Sequence, residues 1–124
     1  MFDHVGLRVR NVAVSARFYE AALEPLGSER CSQDAGSAGF GPPGAPALWL
    51  VEAKEGGERG AHLAFHATDR GAVERFFERG LEAGGRDNGA PGLRADYGPS
   101  YFAAFLLDPD GNNVEAVCLR DEGR

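Results

Sequence analysis

The fold is decided by residues 3–27, which read DHVGLRVRNVAVSARFYEAALEPLG, because the pattern returns at residues 61–85 as AHLAFHATDRGAVERFFERGLEAGG. The two stretches align without a gap. The identical pairs are His4 with His62, Arg17 with Arg75, Phe18 with Phe76, Glu20 with Glu78, Leu23 with Leu81, Glu24 with Glu82, and Gly27 with Gly85. Self-similarity of this kind indicates that one supersecondary unit occurs twice in the chain.

Each repeat predicts a strand, a helix N-cap and a helix, in that order. The opening strands alternate in polarity, with apolar faces formed by Val5, Leu7 and Val9 and by Leu63, Phe65 and Ala67. Asn11 and Asp69 then favour the N-cap position, because their side chains can accept a hydrogen bond from the first helical turn. The predicted helices are about Val12–Leu23 and Arg70–Ala83. Their apolar stripes contain Val14, Phe18 and Leu23, and Val73, Phe76, Phe77 and Leu81.

Three shorter strands are predicted after each helix. They cover about Glu29–Gln33, Ala38–Phe40 and Ala47–Glu52 in the first repeat, and Gly85–Asn88, Tyr101–Leu107 and Asn113–Leu119 in the second. Residues 54–60 read as a linker, residues 89–100 as an ordered loop, and Asp108-Pro-Asp-Gly111 as a turn. The prediction is an α+β fold with two βαβββ modules in tandem, about 1–53 and 61–119. The strands form a curved, cup-shaped mixed sheet with the helices on its outer face.

Composition restricts the function classes. A chain of 124 residues suits a single domain, 1–124, and its net charge of −6 argues against nucleic-acid binding. No segment resembles a signal peptide or a membrane span. Cys31 and Cys118 form neither a disulfide framework nor a metal-binding pair, which favours free thiols in the cytoplasm.

Strand alternation predicts a metal site. If the apolar faces of the opening strands meet the helices, His4 and His62 must lie on the opposite face. Val114, Ala116 and Cys118 form the apolar face of the last strand, so Glu115 also points into the cup. A carboxylate there needs a cationic or hydrogen-bonding partner. Two imidazoles and one carboxylate with open positions suit Fe, Ni, Mn or Zn as a single divalent ion.

Glu52 is a candidate for a fourth ligand. Residues 50–53 read LVEA and residues 113–116 read NVEA, so Glu52 could be the repeat partner of Glu115. The four side chains would then form a quartet with pseudo-twofold symmetry. This pairing requires an insertion relative to the first alignment, so the triad and the quartet are both open alternatives.

Three motifs resemble a known family. Residues 3–9 (DHVGLRV) with residues 17–19 (RFY), then residues 62–65 (HLAF), then residues 108–115 (DPDGNNVE) are similar to the glyoxalase, bleomycin-resistance and extradiol-dioxygenase superfamily. The match runs from residue 2 to 119. The resemblance implies a metal at His4, His62 and Glu115, with a fourth ligand sometimes supplied by the strand that holds Trp49 and Glu52. It also implies a homodimer whose metal site can draw residues from both chains.

The chemistry that this scaffold supports is chelation of a small-molecule substrate through two neighbouring oxygens. In a lyase or isomerase, Glu115 or Glu52 could take a proton beside a carbonyl, whereas an oxygenase would use Fe(II) and O2. Tyr101 could donate a hydrogen bond to the resulting anion, and Arg94 could pair with an anionic substrate group. Trp49 and Phe105 suit pocket walls, although aromatic residues of a core would follow the same pattern.

Two other functions compete with this hypothesis. One is a metal-free protein of the bleomycin-resistance type that sequesters a small ligand in a dimer groove, which the negative charge suits. The retained histidine pair argues against it, since sequestration requires no metal triad. The other is a metal-dependent thiol transferase, which would need a cluster of basic residues. Lys54 is the only lysine and the arginines are scattered, so this class fits least well.

Overall fold

The computed structural model describes residues 2–53 and 61–121, so the predicted linker lies outside the described residues. The elements in chain order are β1 (Val5–Val9), α1 (Val12–Leu23), a short 3-10 helix (Glu24–Leu26), β2 (Glu29–Gln33), β3 (Ser37–Gly41), β4 (Leu48–Glu52), β5 (His62–His66), α2 (Arg70–Glu82), β6 (Arg86–Leu93), β7 (Phe102–Leu107) and β8 (Asn113–Cys118). Neither α-helix within these residues has the length and apolar character required to span a bilayer.

The strands form two open, four-stranded mixed sheets with the same topology. Their strand orders are β1-β4-β3-β2 and β5-β8-β7-β6. In each sheet the opening strand pairs parallel with the last strand, and the remaining pairs are antiparallel. The predicted α+β class and the tandem βαβββ modules are therefore confirmed.

Both helices begin where the sequence predicts. The Asn11 side chain accepts a hydrogen bond from the Val14 backbone N–H at 3.0 Å, and Asp69 accepts one from Ala72 at 2.7 Å. The predicted apolar stripes are partly wrong, because the side chains of Val14 and Leu81 are exposed (51% and 38%). The buried face of α1 is formed instead by Val12, Ser15, Ala16, Phe18, Tyr19, Ala22 and Leu23.

The two helices form one layer between the two sheets. Helix α1 packs on β2, β3 and β4, helix α2 packs on β6, β7 and β8, and the helices contact each other. Their side chains join a single hydrophobic core that includes both sheets. We call the side of each sheet that meets its helix the covered face and the opposite side the uncovered face. The helix layer therefore separates the two uncovered faces.

The turn between β7 and β8 connects the second module to the first. Asp108 is fully buried and accepts hydrogen bonds from Tyr19 Oη (2.7 Å), from the Asn112 side chain (2.9 Å) and from the backbone N–H groups of Asp110 and Asn112. Asp110 accepts one from the backbone N–H of Arg10 at 2.9 Å. The Asp-Pro-Asp-Gly motif thus orders its own turn and docks it against α1 of the other module.

The predicted end of strand β6 is wrong. It extends to Leu93, beyond the predicted end at Asn88, with irregular pairing between Asp87 and Gly92. The sequence predicted a loop there because glycine and proline disfavour strands. Proline is tolerated at this place because β6 is the edge strand, where the N–H that Pro91 lacks has no sheet partner to bond.

Two glycines of α2 should respond to alanine with opposite signs. A Cβ on Gly80 would lie 2.2 Å from Leu106 Cδ1 and 3.3 Å from Phe18 Cε1, both fully buried, so Gly80→Ala should lower the free energy of unfolding by about 1–3 kcal/mol. At Gly71 the nearest atom is Nη1 of the flexible Arg75 side chain at 3.1 Å, followed by Asp69 Oδ1 at 3.4 Å, which is ordinary contact, and Gly71→Ala should be neutral or stabilising by up to about 1 kcal/mol. Urea unfolding of both variants measures this, and equal effects would contradict the close packing of Gly80 against Leu106 and Phe18.

Candidate functional site

The second module places His62 and Glu115 together on its uncovered face. In the parallel β5–β8 pairing, Ala64 lies opposite Glu115, so residue 62 has the same side-chain direction as the carboxylate. His62 Nε2 lies 2.8 Å from Glu115 Oε1. The Glu115 side chain is only 3% exposed, whereas the His62 side chain is 53% exposed. The carboxylate is therefore nearly buried, and the imidazole bonded to it is the accessible member of the pair.

Tyr101 supplies the second partner of the same carboxylate. Its hydroxyl donates a hydrogen bond to Glu115 Oε2, so both carboxylate oxygens are engaged. The hydrogen bond to Glu115, with smaller contributions from burial and the glutamate charge, raises the pKa of Tyr101 to about 12. Tyr101 consequently remains a protonated donor throughout the neutral range.

Asn113 contacts the other imidazole nitrogen. Its Nδ2 lies 3.4 Å from His62 Nδ1, at the long end of hydrogen-bond geometry. Donation from this amide to Nδ1 places the imidazole proton on Nε2, where it can point at Glu115. Nε2 is then the ring nitrogen that donates a hydrogen bond to Glu115 Oε1.

An open cavity of about 560 Å³ lies in front of this cluster. Its lining residues are His62, Asp96, Tyr97, Tyr101, Phe105 and Glu115. The sequence predicted Tyr101, Phe105 and Glu115 as site residues but missed Asp96 and Tyr97. These two residues precede Tyr101 in a segment without periodicity, and the only available signal was the grouping of aromatic and acidic residues there.

Arg94 lies beside the cavity without lining it. Its guanidinium carbon is 5.3 Å from the centroid of the Phe105 ring, a cation–π contact. One guanidinium nitrogen also donates to the backbone oxygen of Ala90 at 2.7 Å. The structure therefore shows Arg94 supporting the position of a cavity wall, and its predicted contact with substrate stays a prediction.

The first module places His4 and Trp49 on its own uncovered face. His4 directly precedes β1, and its Nδ1 lies 2.8 Å from Asp3 Oδ1. Trp49 lies between Leu48 and Leu50, whose side chains are buried in the core, so the indole takes the opposite side of the sheet. Strand alternation predicted this face for His4, and the position of Trp49 on the same face is compatible with the pocket wall that the sequence suggested.

Glu52 takes a different position from the one required by a metal quartet. It has the same side-chain parity as Leu48 and Leu50, on the covered side of β4. Its Oε1 accepts a hydrogen bond from the Val12 backbone N–H at 3.0 Å. The carboxylate thus satisfies a donor of the first turn of α1, where a negative charge also interacts favourably with the helix dipole.

The strand registers identify the true repeat partner of Glu115. Gly6 pairs with Trp49 in the first sheet, and Ala64 pairs with Glu115 in the second. Because Gly6 and Ala64 are equivalent in the repeat, Trp49 rather than Glu52 stands at the position of Glu115. Local similarity around Glu52 misled the sequence argument, since the segments between helix and last strand differ in length.

The predicted triad is divided between the two uncovered faces. His4 lies on that of the first sheet, and His62 with Glu115 on that of the second. Within residues 2–53 and 61–121, no group of three or more histidine, cysteine, aspartate or glutamate side chains is close enough to hold a metal ion. Each module of one chain therefore carries only part of the predicted ligand set.

Two tandem βαβββ modules, each with a four-stranded mixed sheet that is open on one face, define an α+β protein of the glyoxalase-like fold. The sequence model of the Glyoxalase/Bleomycin resistance protein/Dioxygenase superfamily matches residues 1–116. The chain belongs to this superfamily.

Solved structures agree with the assignment. A glyoxalase/bleomycin resistance protein from Albidiferax ferrireducens is 28% identical, with a TM-score of 0.81 over 98% of this chain and 99% of that one. A glyoxylase/bleomycin resistance protein/dioxygenase domain from Frankia sp. is 24% identical (TM-score 0.69, 94% and 95% covered). A glyoxalase I mutant from Zea mays is 23% identical (TM-score 0.69, 94% and 46% covered). The last two show the fold. No curated protein matches the sequence.

Proposed function

We propose that this protein is a divalent-metal-dependent enzyme that acts on a small molecule chelated through two neighbouring oxygens. The reaction is of the lyase or isomerase type, or an oxygenation of a ring that carries both oxygens. The observation that supports this proposal is the His62–Glu115 pair, with Nε2 and Oε1 facing each other at 2.8 Å at the floor of an open cavity. We expect the enzyme to act in the cytoplasm as a homodimer.

The residues present suit a metal. A carboxylate that is 3% exposed requires a positive or proton-donating neighbour, and the imidazole supplies one through a shared proton. The same two atoms are ligands that Fe(II), Ni(II), Mn(II) and Zn(II) accept, so a cation can replace that proton. Asn113 at the far nitrogen is placed to orient the ring, as partners of metal-binding histidines commonly do.

The third ligand would come from a second copy of the chain. His4 and the His62–Glu115 pair lie on faces that the helix layer separates, so a single chain cannot bring them together. In a symmetric dimer, the first module of one chain can lie beside the second module of the other, and two equivalent sites result. His4, His62 and Glu115 would then complete the predicted triad, with His4 in trans.

Within the cavity the residues of this chain have distinct tasks. A bound divalent metal would polarise the two substrate oxygens and stabilise negative charge on them. Tyr101 has a single hydroxyl proton, which it can turn from Glu115 to a substrate oxygen on which charge develops. A Glu115 carboxylate released from metal ligation could accept a proton from a carbon next to a carbonyl group. Tyr97 and Phe105 are placed to hold the substrate against these groups.

Metal content tests the proposal directly. Protein purified without a chelator or affinity tag should contain about one metal ion per chain by mass spectrometry. His62→Ala and Glu115→Gln should each lose most of it, because the two ligands that remain bind a metal far more weakly than three. His66→Ala is the matched control, since His66 is exposed on the same face of β5 but belongs to no predicted ligand set.

Glu52→Gln separates the two ligand hypotheses. Its carboxylate caps α1, so the variant should retain the metal of the wild type and lose only some stability.

Absence of metal from the wild type, even after reconstitution with each of the four ions, would contradict the proposal and favour metal-free ligand binding. If metal is retained, diketone, hemithioacetal and catechol substrates form the first activity screen.

A further inference from the structure

The cavity of the candidate site is lined mainly by aromatic rings and carboxylates. The rings belong to Tyr97, Tyr101 and Phe105, and the carboxylates to Asp96 and Glu115. Among the residues that the structure describes, no lysine or arginine side chain contributes to this lining. The cavity therefore combines negative charge with aromatic surface and has no positive group of its own.

Asp96 differs from Glu115 in its hydrogen-bond partners. Glu115 accepts hydrogen bonds from His62 and Tyr101, so donors within the chain engage both of its carboxylate oxygens. Asp96 is exposed and makes no hydrogen bond or ion pair with another residue in the described part of the chain. Its negative charge is thus available to a positive group of a ligand in the cavity.

Arg94 is close to Asp96 in sequence, but its guanidinium is held outside the cavity. The guanidinium carbon lies 5.3 Å from the centroid of the Phe105 ring. Two glycines of β6 leave room for the group, because a Cβ added to Gly89 would lie 3.2 Å from Nη2 and one added to Gly92 would lie 3.1 Å from Nη1. Arg94 is therefore committed to the cavity wall and does not neutralise Asp96.

Tyr97 and Tyr101 form a corner next to Asp96. Their ring centroids are 5.1 Å apart, and the ring planes meet at 67°. The Tyr101 hydroxyl donates to Glu115, and the backbone N–H of Tyr97 donates to the backbone oxygen of Arg94 at 2.9 Å, so both residues have ordered supports. Tyr97 is 67% exposed, which leaves aromatic surface for a ligand. We call Asp96, Tyr97 and Tyr101 the aromatic corner.

We propose that the aromatic corner binds a quaternary ammonium group, and that the substrate of the proposed function carries such a group in addition to its two neighbouring oxygens. Aromatic rings attract a cation electrostatically, and the carboxylate of Asp96 adds a second attraction. A quaternary ammonium has no N–H group that requires an acceptor, so it can contact both rings. The second part of the proposal rests on the proposed function, whereas the binding of the ammonium group does not.

Choline and 3,3-dimethyl-1-butanol are matched probes, because they have nearly the same shape and only choline is charged. Metal-stripped wild-type protein should bind choline at least about tenfold more tightly than the alcohol, measured from backbone amide shifts in an NMR titration. A higher salt concentration should weaken the binding of choline alone. Equal binding of the two probes, or no saturable binding of choline, would overturn the proposal.

Three variants separate the charge of the corner from its aromatic surface. Asp96→Asn keeps the shape of the side chain and should lower the choline affinity by about fivefold or more. Tyr97→Leu should give a similar loss, whereas Tyr97→Phe keeps the ring and should bind choline like the wild type. Glu78→Gln, on the exposed side of α2, controls for loss of a carboxylate elsewhere. An unchanged choline affinity in either Asp96→Asn or Tyr97→Leu would overturn the proposal.

Metal content distinguishes this inference from the proposed function. Asp96 belongs to no predicted ligand set, so Asp96→Asn should retain the metal of the wild type. Loss of choline binding by this variant with its metal retained supports the aromatic corner. Choline binding by a wild-type protein that takes up no metal would contradict the metal enzyme while leaving the aromatic corner supported.

Discussion

Replacing Asp108 with alanine is expected to lower the free energy of unfolding by about 3–5 kcal/mol, because it leaves several buried donors without an acceptor. The carboxylate is fully buried and accepts hydrogen bonds from Tyr19, from the Asn112 side chain and from two backbone N–H groups of its own turn. Small domains are stable by about 5–15 kcal/mol in total, so this variant would lose a large share. Urea unfolding followed by circular dichroism measures the change.

Two further variants define the origin of this effect. Tyr19→Phe removes one donor and keeps the rest of the turn, so about 1–2 kcal/mol is expected. Burial, together with the charge of Asp108, raises the pKa of Tyr19 well above its usual value, which keeps this hydroxyl a donor. Glu78→Gln, on the exposed side of α2, controls for removal of a carboxylate. If the Asp108 and Glu78 variants had the same free energy of unfolding, the hydrogen bonds of Asp108 would not stabilise the contact between the two modules.

Mixing two metal-deficient variants is expected to restore metal sites if the proposed homodimer shares its triad between chains. In His4→Ala both sites lose their histidine from the first module, and in His62→Ala both lose one from the second. Random exchange of subunits in an equal mixture makes half of the dimers mixed, and each mixed dimer has one intact site. About one quarter of the wild-type metal content should therefore return. Mass spectrometry after unfolding and refolding the mixture together measures it.

A second mixture supplies the control. His62→Ala and Glu115→Gln both alter the second module, so every site of a mixed dimer still lacks one ligand. No recovery is expected there. Recovery in neither mixture, with both parent proteins folded and dimeric, would show that the triad is not shared between chains.

Most of the fold follows from local patterns in the sequence. The gap-free repeat predicts both modules, and strand alternation places His4, His62 and Glu115 on the uncovered faces. The N-caps at Asn11 and Asp69 are confirmed because they depend on hydrogen bonds within one turn. Features that depend on near neighbours along the chain can thus be predicted from the order of the residues alone.

The errors concern features that depend on distant parts of the chain. Val14 has an apolar side chain, but the face that meets the sheet is selected by packing, and Val14 lies outside it. The position of Glu52 depends on the register of β4, which pairing with β1 and β3 determines. The length of β6 depends on its place at the sheet edge. Tyr97 and Asp96 reach the cavity through a segment without regular structure.

Trp49 and Glu115 stand at equivalent positions of two related modules, one as a flat apolar surface and the other as a charged acceptor. A cavity formed by one module of each kind therefore has two chemically different ends. A pair of carboxylates would instead have made the ends interchangeable by a half-turn. In the proposed dimer, a substrate would therefore be held in one orientation, with the same prochiral face towards Glu115. Divergence of the two repeats would thus give the proposed enzyme a physical basis for stereoselectivity.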